Sequence, residues 1–455
     1  MLLDTHIAPA FFEPDAFQAR AINTISEKLI SEEYLDAFLV APPGAGKTGM
    51  FANIGDQLRK SNVSKKILYI THRERLLGQL AADIYDFTGQ VSGSFSANSD
   101  LGGKNQEPDA VVGMIQSLVS DLDSLEDYDT IFIDEAHHAR GDEMGGDVED
   151  LSSMYATLID FLDRRLKNKG EKLRVISGSG TPDRGDELSL HPRIENGFRY
   201  DVSYEEVHMA GRTVPANTEI VDYELKDSSE TSKKLLERLT NNPLVLNDTS
   251  RIRKELKNHR PDNFIDVAAD NFVKNSKGSR SLVFCETISQ CEDYLEALKK
   301  RGVKAAVIHS KASKEHNEKA NEEYQNGDNE ALISVDMISE GYNVPDTDHV
   351  HILSRSLTKA RFDQVTGRAS RNPRDQTDKI FAKVFDHGAS SAIHGALEHR
   401  TSIQSTTAMT RRGENRVKDL LLRFGTQAGI SGVDQGKMDL SHLYVLPGEK
   451  QTLFV

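Results

Sequence analysis

A glycine-rich loop at residues 41–48 has the residue types and spacing needed to hold the phosphates of a nucleotide. The loop reads APPGAGKT and directly follows the apolar residues 38–40. Its two glycines let backbone N–H groups close around phosphate oxygens, Lys47 can reach the terminal phosphates, and the Thr48 hydroxyl can ligate Mg²⁺. A helix over residues 47–58 would point its N-terminus at the anion. The pattern therefore predicts hydrolysis of a nucleotide held by Pro43, Gly44, Ala45, Gly46, Lys47 and Thr48.

A pair of carboxylates follows a second apolar run. Asp134 and Glu135 end the predicted strand at residues 130–134 and are followed by Ala136 and His137. The carboxyl edge of a parallel sheet is where its ligands bind. Asp134 is predicted to hold Mg²⁺, together with Thr48, and Glu135 to orient or deprotonate the water that attacks the γ-phosphate.

The elements that must position these residues can be read from the alternation of apolar runs and helical stretches, which is typical of parallel sheets. One series predicts strands at 37–41, 66–71, 110–114, 130–134 and 173–178, and a second at 281–285, 305–309, 331–335, 349–353 and 380–385. The predicted fold is α/β, with two doubly wound parallel-sheet lobes in tandem. We divide the chain into an N-terminal lobe (1–215), a helical connector (216–277), a C-terminal lobe (278–390) and a C-terminal helical tail (391–455).

The charge balance limits how this chain can contact nucleic acid. Its 455 residues include 56 Lys and Arg against 71 Asp and Glu, a formal net charge of −15. Coating of nucleic acid through bulk charge is therefore not expected, and any track must be a local basic groove. A predicted helix within 141–172 carries a basic run, for which a solvated face is the commoner explanation and nucleic-acid contact the alternative.

Cysteine content and hydropathy bound the remaining classes. Cys285 and Cys291 are too few for a disulfide scaffold or a structural zinc site, so buried free thiols are expected. No apolar run approaches the length that crosses a bilayer, and the first residues lack a basic region followed by an apolar core. We expect a soluble, cytoplasmic protein without membrane contact.

The acidic sequence at 134–137, downstream of a phosphate loop, resembles that of superfamily 2 helicases, and the other motifs of that family can be followed in order. Gln18 stands where the family has a glutamine that reads adenine. Segments resembling motifs Ia, Ib, III, IV, V and VI lie at 71–77, 113–118, 179–184, 282–287, 334–345 and 364–371. The resemblance covers roughly residues 15–388. It implies two RecA-like lobes that use ATP and Mg²⁺.

The resemblance also implies roles for single residues. Nucleic acid would be contacted by His72, Arg73, Gln116, Thr287 and Ser339. The nucleotide would be contacted by Gln18 and Gly341, and by Arg368 and Arg371 acting as arginine fingers, which contribute about 10³–10⁵ in rate. The two arginines are three residues apart, so we expect them on one helix face. Coupling between the nucleotide and the track would use His137, Ser179, Thr181 and Gln364.

Two positions depart from the family pattern. Gly180 stands in motif III where relatives usually have alanine, and its backbone freedom puts the coupling step in question. Asn343 in motif V stands where many relatives have aspartate.

Within the superfamily, the motifs are more similar to those of restriction-enzyme motor subunits, phage branch-migration helicases and bacterial repair helicases than to those of RNA helicases. The leading hypothesis is an ATP-dependent DNA helicase or translocase. An RNA-dependent ATPase is a second hypothesis, because motifs that contact phosphates discriminate DNA from RNA poorly. A third is an ATP-gated motor subunit of a restriction or antiviral complex with protein partners, since no nuclease or specificity module is recognised in the sequence.

Overall fold

The computed structural model describes residues 13–72, 74–89, 92–95, 110–139, 151–180, 190–221, 263–335, 347–354, 359–372, 379, 382–388 and 390–391. The chain divides into two compact units, Met1–Gly211 and Arg212–Val455. Each unit contains one sheet in which every described strand pair is parallel. The predicted α/β class with two parallel-sheet lobes is confirmed.

The first unit has a seven-stranded sheet in the order β3-β4-β2-β5-β6-β1-β7. Its strands are β1 (Ala37–Val40), β2 (Ile67–Thr71), β3 (Ser92–Phe95), β4 (Ala110–Met114), β5 (Thr130–Ile133), β6 (Arg174–Ser179) and β7 (Phe198–Asp201). Its helices are α1 (Ala16–Ile30), α2 (Lys47–Lys60), α3 (Glu74–Thr88), α4 (Ile115–Ser120), α5 (Leu151–Lys167), α6 (Pro192–Glu195) and α7 (Tyr204–Met209). This order brings the carboxyl ends of β4, β2, β5, β6 and β1 to one edge.

The central strands of this sheet are continuous apolar runs because both of their faces are covered. Every residue of β1, β2, β5 and β6 is buried, as expected for a parallel sheet between helices. Helix α1 begins with a capping box between Asp15 and Gln18 and buries Phe17, Ile22 and Ile25 in the same core as the residues of α2. The strand ends that carry the candidate site therefore rest on a closely packed core.

The second unit has a six-stranded sheet in the order β10-β11-β9-β12-β13-β8. Its strands are β8 (Ala216–Ile220), β9 (Ser281–Phe284), β10 (Ala305–Ile308), β11 (Ala331–Ser334), β12 (His349–Ile352) and β13 (Ala382–Asp386). Its helices are α8 (Phe264–Asn275), α9 (Ile288–Lys300), α10 (Lys314–Gln325) and α11 (Lys359–Ser370). Cys285 and Cys291 are buried free thiols, as predicted.

The structure differs from the predicted organisation between the lobes. Residues 216–220, which we placed in a helical connector, form β8 and pair in parallel with β13. Residues 264–275 are helical, but α8 buries Phe264, Ala268 and Phe272 in the core of the second unit rather than bridging the two lobes. The remainder of that connector, residues 222–262, lies outside the described residues, as do residues 141–150 and the tail from residue 392.

Among the described helices, none is both long and apolar enough to cross a membrane.

Candidate active site

The predicted phosphate loop lies between the end of β1 and the start of α2. Gly44 has φ 89° and Gly46 has φ 78°, a left-handed conformation that side chains with a Cβ rarely adopt. The turn is closed by a hydrogen bond of 3.1 Å from Ala45 N to Pro42 O, and α2 begins at Lys47. The first N–H groups of this 14-residue helix are thus presented where the loop bends, which is the geometry that binds phosphate.

Gln18 supports this loop from behind. Its Nε2 donates to Ala45 O at 2.7 Å, and its Oε1 accepts from Asp15 N at 3.0 Å. The side chain is completely buried. In this conformation Gln18 ties the start of α1 to the loop backbone, and its amide is not presented to a base.

The two acidic residues lie directly after β5, as predicted. Asp134 Oδ1 accepts a hydrogen bond of 3.0 Å from Glu135 N. Burial raises the pKa of Asp134, the neighbouring Glu135 charge raises it further, and the positive charge of Lys47 opposes both effects. A half-buried carboxylate whose pKa is raised in this way is stabilised by a nearby cation.

Glu135 itself has an unusual backbone. Its φ of 54° and ψ of 50° are left-handed, although it carries a full side chain. It precedes a short 3-10 helix at Ala136–His138, so the chain turns sharply away from the sheet after the carboxylate pair. Such a conformation persists only where surrounding contacts hold it.

Those contacts come from the end of the neighbouring strand β6. His137 Nδ1 lies 3.0 Å from Ser179 Oγ and 3.3 Å from Glu135 Oε2. Ser179 is completely buried, and its backbone oxygen accepts a hydrogen bond of 3.0 Å from Ala41 N at the start of the phosphate loop. The strands β1, β6 and β5 therefore bring the loop, Ser179 and the acidic pair to one edge. Thr181 lies outside the described residues.

Gly180 lies against the phosphate loop. A methyl group on its Cα would be 3.4 Å from Ala41 O and from Pro43 Cδ, and 3.6 Å from Lys47 Nζ. These are ordinary van der Waals distances. The glycine is therefore not required by lack of space.

Two of the predicted nucleic-acid residues of this unit lie on the same edge. His72 directly follows β2, and Gln116, in the first turn of α4, donates from Nε2 to His72 O at 3.3 Å. The ring of His138 contacts both neighbouring histidines, with centroids 4.9 Å from His72 and 4.3 Å from His137. Sequence reasoning did not assign His138, although the adjacent pair of histidines was a visible signal. Arg73 lies outside the described residues.

In the second unit the structure corrects the expectation that Arg368 and Arg371 lie on one helix face. Helix α11 ends at Ser370, so Arg371 does not share a helix face with Arg368. Arg371 instead forms an antiparallel bridge with Thr213, and Val214 N donates to Ser370 O at 2.7 Å. Arg368 is buried and Gln364 is half-buried on α11.

The other predicted contacts of the second unit lie elsewhere. Thr287 is the N-cap of α9, where its hydroxyl accepts from Gln290 N at 3.1 Å. Ser339 and Gly341 lie outside the described residues.

The donor set agrees with the chemistry of Mg²⁺. No cluster of three or more His, Cys, Asp or Glu side chains able to hold a metal occurs in the described part of the chain. Mg²⁺ does not need one, because it binds through one or two protein oxygens together with phosphate oxygens and water. The Thr48 hydroxyl and the half-buried Asp134 carboxylate fit that requirement.

Two family models match the chain. Residues 11–182 match the model described as "Type III restriction enzyme, res subunit", and residues 263–373 match "Helicase conserved C-terminal domain". The second match begins near α8, in agreement with the place of that helix in the second unit.

Comparisons with single proteins agree with these matches. The chain is 22% identical over 343 residues to IRC3 of Saccharomyces cerevisiae, named as a candidate ATP-dependent helicase; the match covers 72% of this chain and 45% of that protein. The chain spans less than half the length of the first curated relatives it matches. The fold resembles that of the DNA-bound restriction-modification enzyme LlaBIII, with a TM-score of 0.58 and 15% sequence identity. The match covers 92% of this chain and 30% of LlaBIII. The fold also resembles that of the Hef helicase domain of Pyrococcus furiosus, with a TM-score of 0.51 and 15% sequence identity. The match covers 82% of this chain and 95% of the Hef domain.

The two family models match the two units in the same order along the chain, and the solved neighbours share its fold. The chain therefore belongs to the superfamily 2 helicase family and is related to its restriction-motor and repair groups.

Proposed function

We propose that this chain is an ATP-dependent DNA helicase or translocase that hydrolyses ATP to move on or remodel DNA. The observation that carries the proposal is the convergence of the phosphate loop, the Asp134–Glu135 pair and the His137–Ser179 contact at one edge of the first sheet. Hydrolysis of a phosphoanhydride needs a phosphate cradle, an oriented water and charge stabilisation. The first two have candidates here.

In this proposal each side chain has a defined task. The loop N–H groups and Lys47 bind the phosphates, while Thr48 and Asp134 hold Mg²⁺, which neutralises charge on the β- and γ-phosphates. Glu135 orients the attacking water and accepts its proton. Gln18 fixes the loop, and Arg368 and Arg371 of the second unit supply positive charge to the transition state. Gly341 also contacts the nucleotide, and Thr181 and Gln364 act in coupling.

DNA is favoured as the nucleic acid by the relationship to restriction motors, one of which has been solved with DNA. His72, Arg73, Gln116, Thr287 and Ser339 are the proposed contacts, and the action takes place in the cytoplasm, where ATP and DNA are both available. A second candidate function is that of an ATP-gated motor within a larger restriction or defence assembly. The match of residues 11–182 to the model described as "Type III restriction enzyme, res subunit" favours that candidate.

ATP turnover measured with single-stranded, duplex, forked and junction DNA, and with RNA, tests the proposal. We expect stimulation by DNA. Glu135→Gln should lower turnover by about 10²-fold or more while ATP binding is retained, because it removes the proton acceptor and little of the phosphate cradle. Lys47→Ala should lose both ATP turnover and ATP binding, so any turnover that remains in this variant measures contaminating ATPases.

Three results would change the assignment. A rate that no nucleic acid alters would refute the proposal, and stimulation by RNA alone would make the chain an RNA-dependent ATPase. Strong ATPase stimulation without strand separation, together with a copurifying partner, would favour the gated motor.

A further inference from the structure

A line of side chains runs along the carboxyl edge of the first sheet and joins four successive strands. From β6 it passes through Ser179 to His137 and His138 after β5, then to His72 after β2 and Gln116 after β4. Each step is a direct contact: 3.0 Å from Ser179 Oγ to His137 Nδ1, ring centroids 4.3 Å and 4.9 Å apart along the three histidines, and 3.3 Å from Gln116 Nε2 to His72 O.

One end of this line lies at the candidate hydrolytic residue. His137 Nδ1 is within 3.0 Å of Ser179 Oγ and within 3.3 Å of Glu135 Oε2. A ring nitrogen carries either one hydrogen or one lone pair, so it cannot form two full hydrogen bonds at once. If Glu135 turns towards a water at the γ-phosphate, its contact with His137 Nδ1 is lost, while the contact of that nitrogen with Ser179 Oγ can persist. A movement of Glu135 would therefore change the contacts of the His137 ring.

The other end lies at residues that the proposed function assigns to the nucleic acid. His72 and Gln116 belong to different strand ends and are held together by the bond from Gln116 Nε2 to His72 O. The ring of His138 connects the two ends, because it packs on both His137 and His72. Closely packed rings do not move independently, so a rotation of His137 displaces its neighbours.

We infer that His138 is a positioning residue that transmits the state of Glu135 and His137 to the segment carrying His72 and Gln116. The inference rests on the proposed function, and it names the step by which ATP and nucleic acid affect each other. His138 touches neither the nucleotide nor the reacting water in this scheme. Coupling through it is reciprocal, so nucleic acid bound near His72 would also favour the hydrolytic arrangement of Glu135.

The first test compares His138→Ala with His138→Phe in the full chain. The alanine removes the ring contacts, and the phenylalanine keeps a ring of similar reach. We expect His138→Ala to retain basal ATP turnover but to lose DNA stimulation by about five-fold or more, the usual range of a coupling free energy. His138→Phe should retain most of the stimulation. Equal loss of basal and stimulated turnover in His138→Ala, or full stimulation in that variant, would overturn the inference.

The second test needs no nucleic acid. Hydrogen exchange of the peptide that begins at His72 is measured with and without a non-hydrolysable ATP analogue. Wild type and His138→Phe should show an analogue-dependent change there, and His138→Ala should not. An analogue-dependent change that His138→Ala retains would count against coupling through the ring. Should His138→Ala fail to fold by circular dichroism, His138→Asn removes the ring while keeping a polar side chain.

The two tests separate this inference from the proposed function. A wild-type ATPase that ignores every nucleic acid refutes the proposed function, whereas the exchange experiment still decides whether His138 links the nucleotide to the His72 segment.

Discussion

Glu135 is the residue at which local conformation and chemistry meet. Three described non-glycine residues have positive φ: Glu32, Asn62 and Glu135. Glu32 and Asn62 each lie two residues beyond the end of a helix, where a left-handed residue commonly ends the turn. Glu135 instead follows a strand and lies at the candidate site. Left-handed backbone costs an L-residue about 1–2 kcal/mol, which the contacts of His137 and Asp134 must offset.

Gly180→Ala tests whether the glycine of motif III loosens the site. A methyl group there meets Ala41 O and Pro43 Cδ at ordinary contact distance, and alanine narrows the unfolded ensemble. We expect the free energy of unfolding to rise by about 0.4–1 kcal/mol, with a KM for ATP close to that of wild type. Urea unfolding and steady-state kinetics measure these quantities.

The matched control for that substitution is Gly178→Ala, two residues earlier. A Cβ at Gly178 would approach Phe51 Cζ to 2.5 Å, so this variant should lose stability. If Gly180→Ala lowered the free energy of unfolding as much as Gly178→Ala does, the open space beside residue 180 would not determine the effect of a substitution there.

Single residues could be located from the sequence where short-range geometry fixes them. Lys47, Asp134 and Glu135 lie where the loop and strand patterns placed them, although their roles stay predictions. Arg371 could not be located in this way. Its bridge to Thr213 joins residues far apart in the chain, and a spacing of three residues carries no information about where a helix ends.

At the scale of elements, α2 packs closely on β2 and β5 because position 55 is glycine. A Cβ on Gly55 would overlap the hydroxyl oxygen of Tyr69, with Phe132 Cε2 at 3.3 Å. Gly55→Ala should therefore lower the free energy of unfolding by about 1–3 kcal/mol, the usual effect of overpacking. Urea unfolding followed by circular dichroism measures the loss.

Tyr69→Phe supplies the internal check on this packing. The buried Tyr69 hydroxyl has no hydrogen-bond partner among the described residues, so its removal breaks none of their bonds. The double variant Gly55→Ala/Tyr69→Phe should recover most of the stability lost by Gly55→Ala. A loss that persists in the double variant would place the overlap elsewhere.

Three of the four strands at the sheet edges, β3, β7 and β8, were not predicted from the sequence, whereas the fourth, β10, was. The strands β3, β7 and β8 contain the short sequences SGSF, FRYD and ANTEI, which lack a continuous apolar run. The strands β7 and β8 flank their sheets and bury residues only partly or alternately, so they lack the composition of a central strand. The central strands were predicted because burial on both faces demands uninterrupted apolar residues.

A hydrogen-bonded chain of histidines crosses β12 and β13 and predicts acid sensitivity of the second unit. Ser276 Oγ lies 2.8 Å from His349 Nδ1 and from His351 Nε2, and His351 Nδ1 lies 3.2 Å from His387 Nε2. Burial lowers the pKa of His349 to about 4 and that of His387 to about 3, and it lowers the pKa of His351 as well. Asp348 opposes the shift in the pKa of His349, while Lys383 and Lys379 add to it.

The sign of the effect follows from these pKa values. Below a pH of about 6.5 these histidines take up protons in the unfolded chain but stay neutral in the folded one. The free energy of unfolding is therefore highest above this pH, and it falls as the pH is lowered from about 6.5 to about 4. Each buried histidine contributes a slope of about 1.4 kcal/mol per pH unit. Urea unfolding across this range should show the decline, and His351→Gln should reduce its slope. A slope unchanged by that variant would assign the acid sensitivity to other groups.

At the scale of the whole molecule, net charge and nucleic-acid binding must be reconciled. The chain has a formal net charge of −15, which repels phosphate at long range. Among the candidate contacts, Gln116, Thr287 and Ser339 act through amide and hydroxyl groups, so they hold phosphates without releasing counterions. Binding should therefore depend on shape and a few cations rather than on bulk charge.

This argument predicts a shallow dependence of DNA affinity on salt. Each phosphate neutralised by a cation contributes a slope of about −0.9 to log K against log salt concentration. We expect a total slope no steeper than about −4, as for a handful of ionic contacts. Fluorescence anisotropy with labelled duplex DNA at several salt concentrations, with an ATP analogue present, measures it. A much steeper slope would require an extended basic surface outside the residues assigned to nucleic acid, and the basic run near the end of α5, with Arg164, Arg165 and Lys167, would then be the first to substitute.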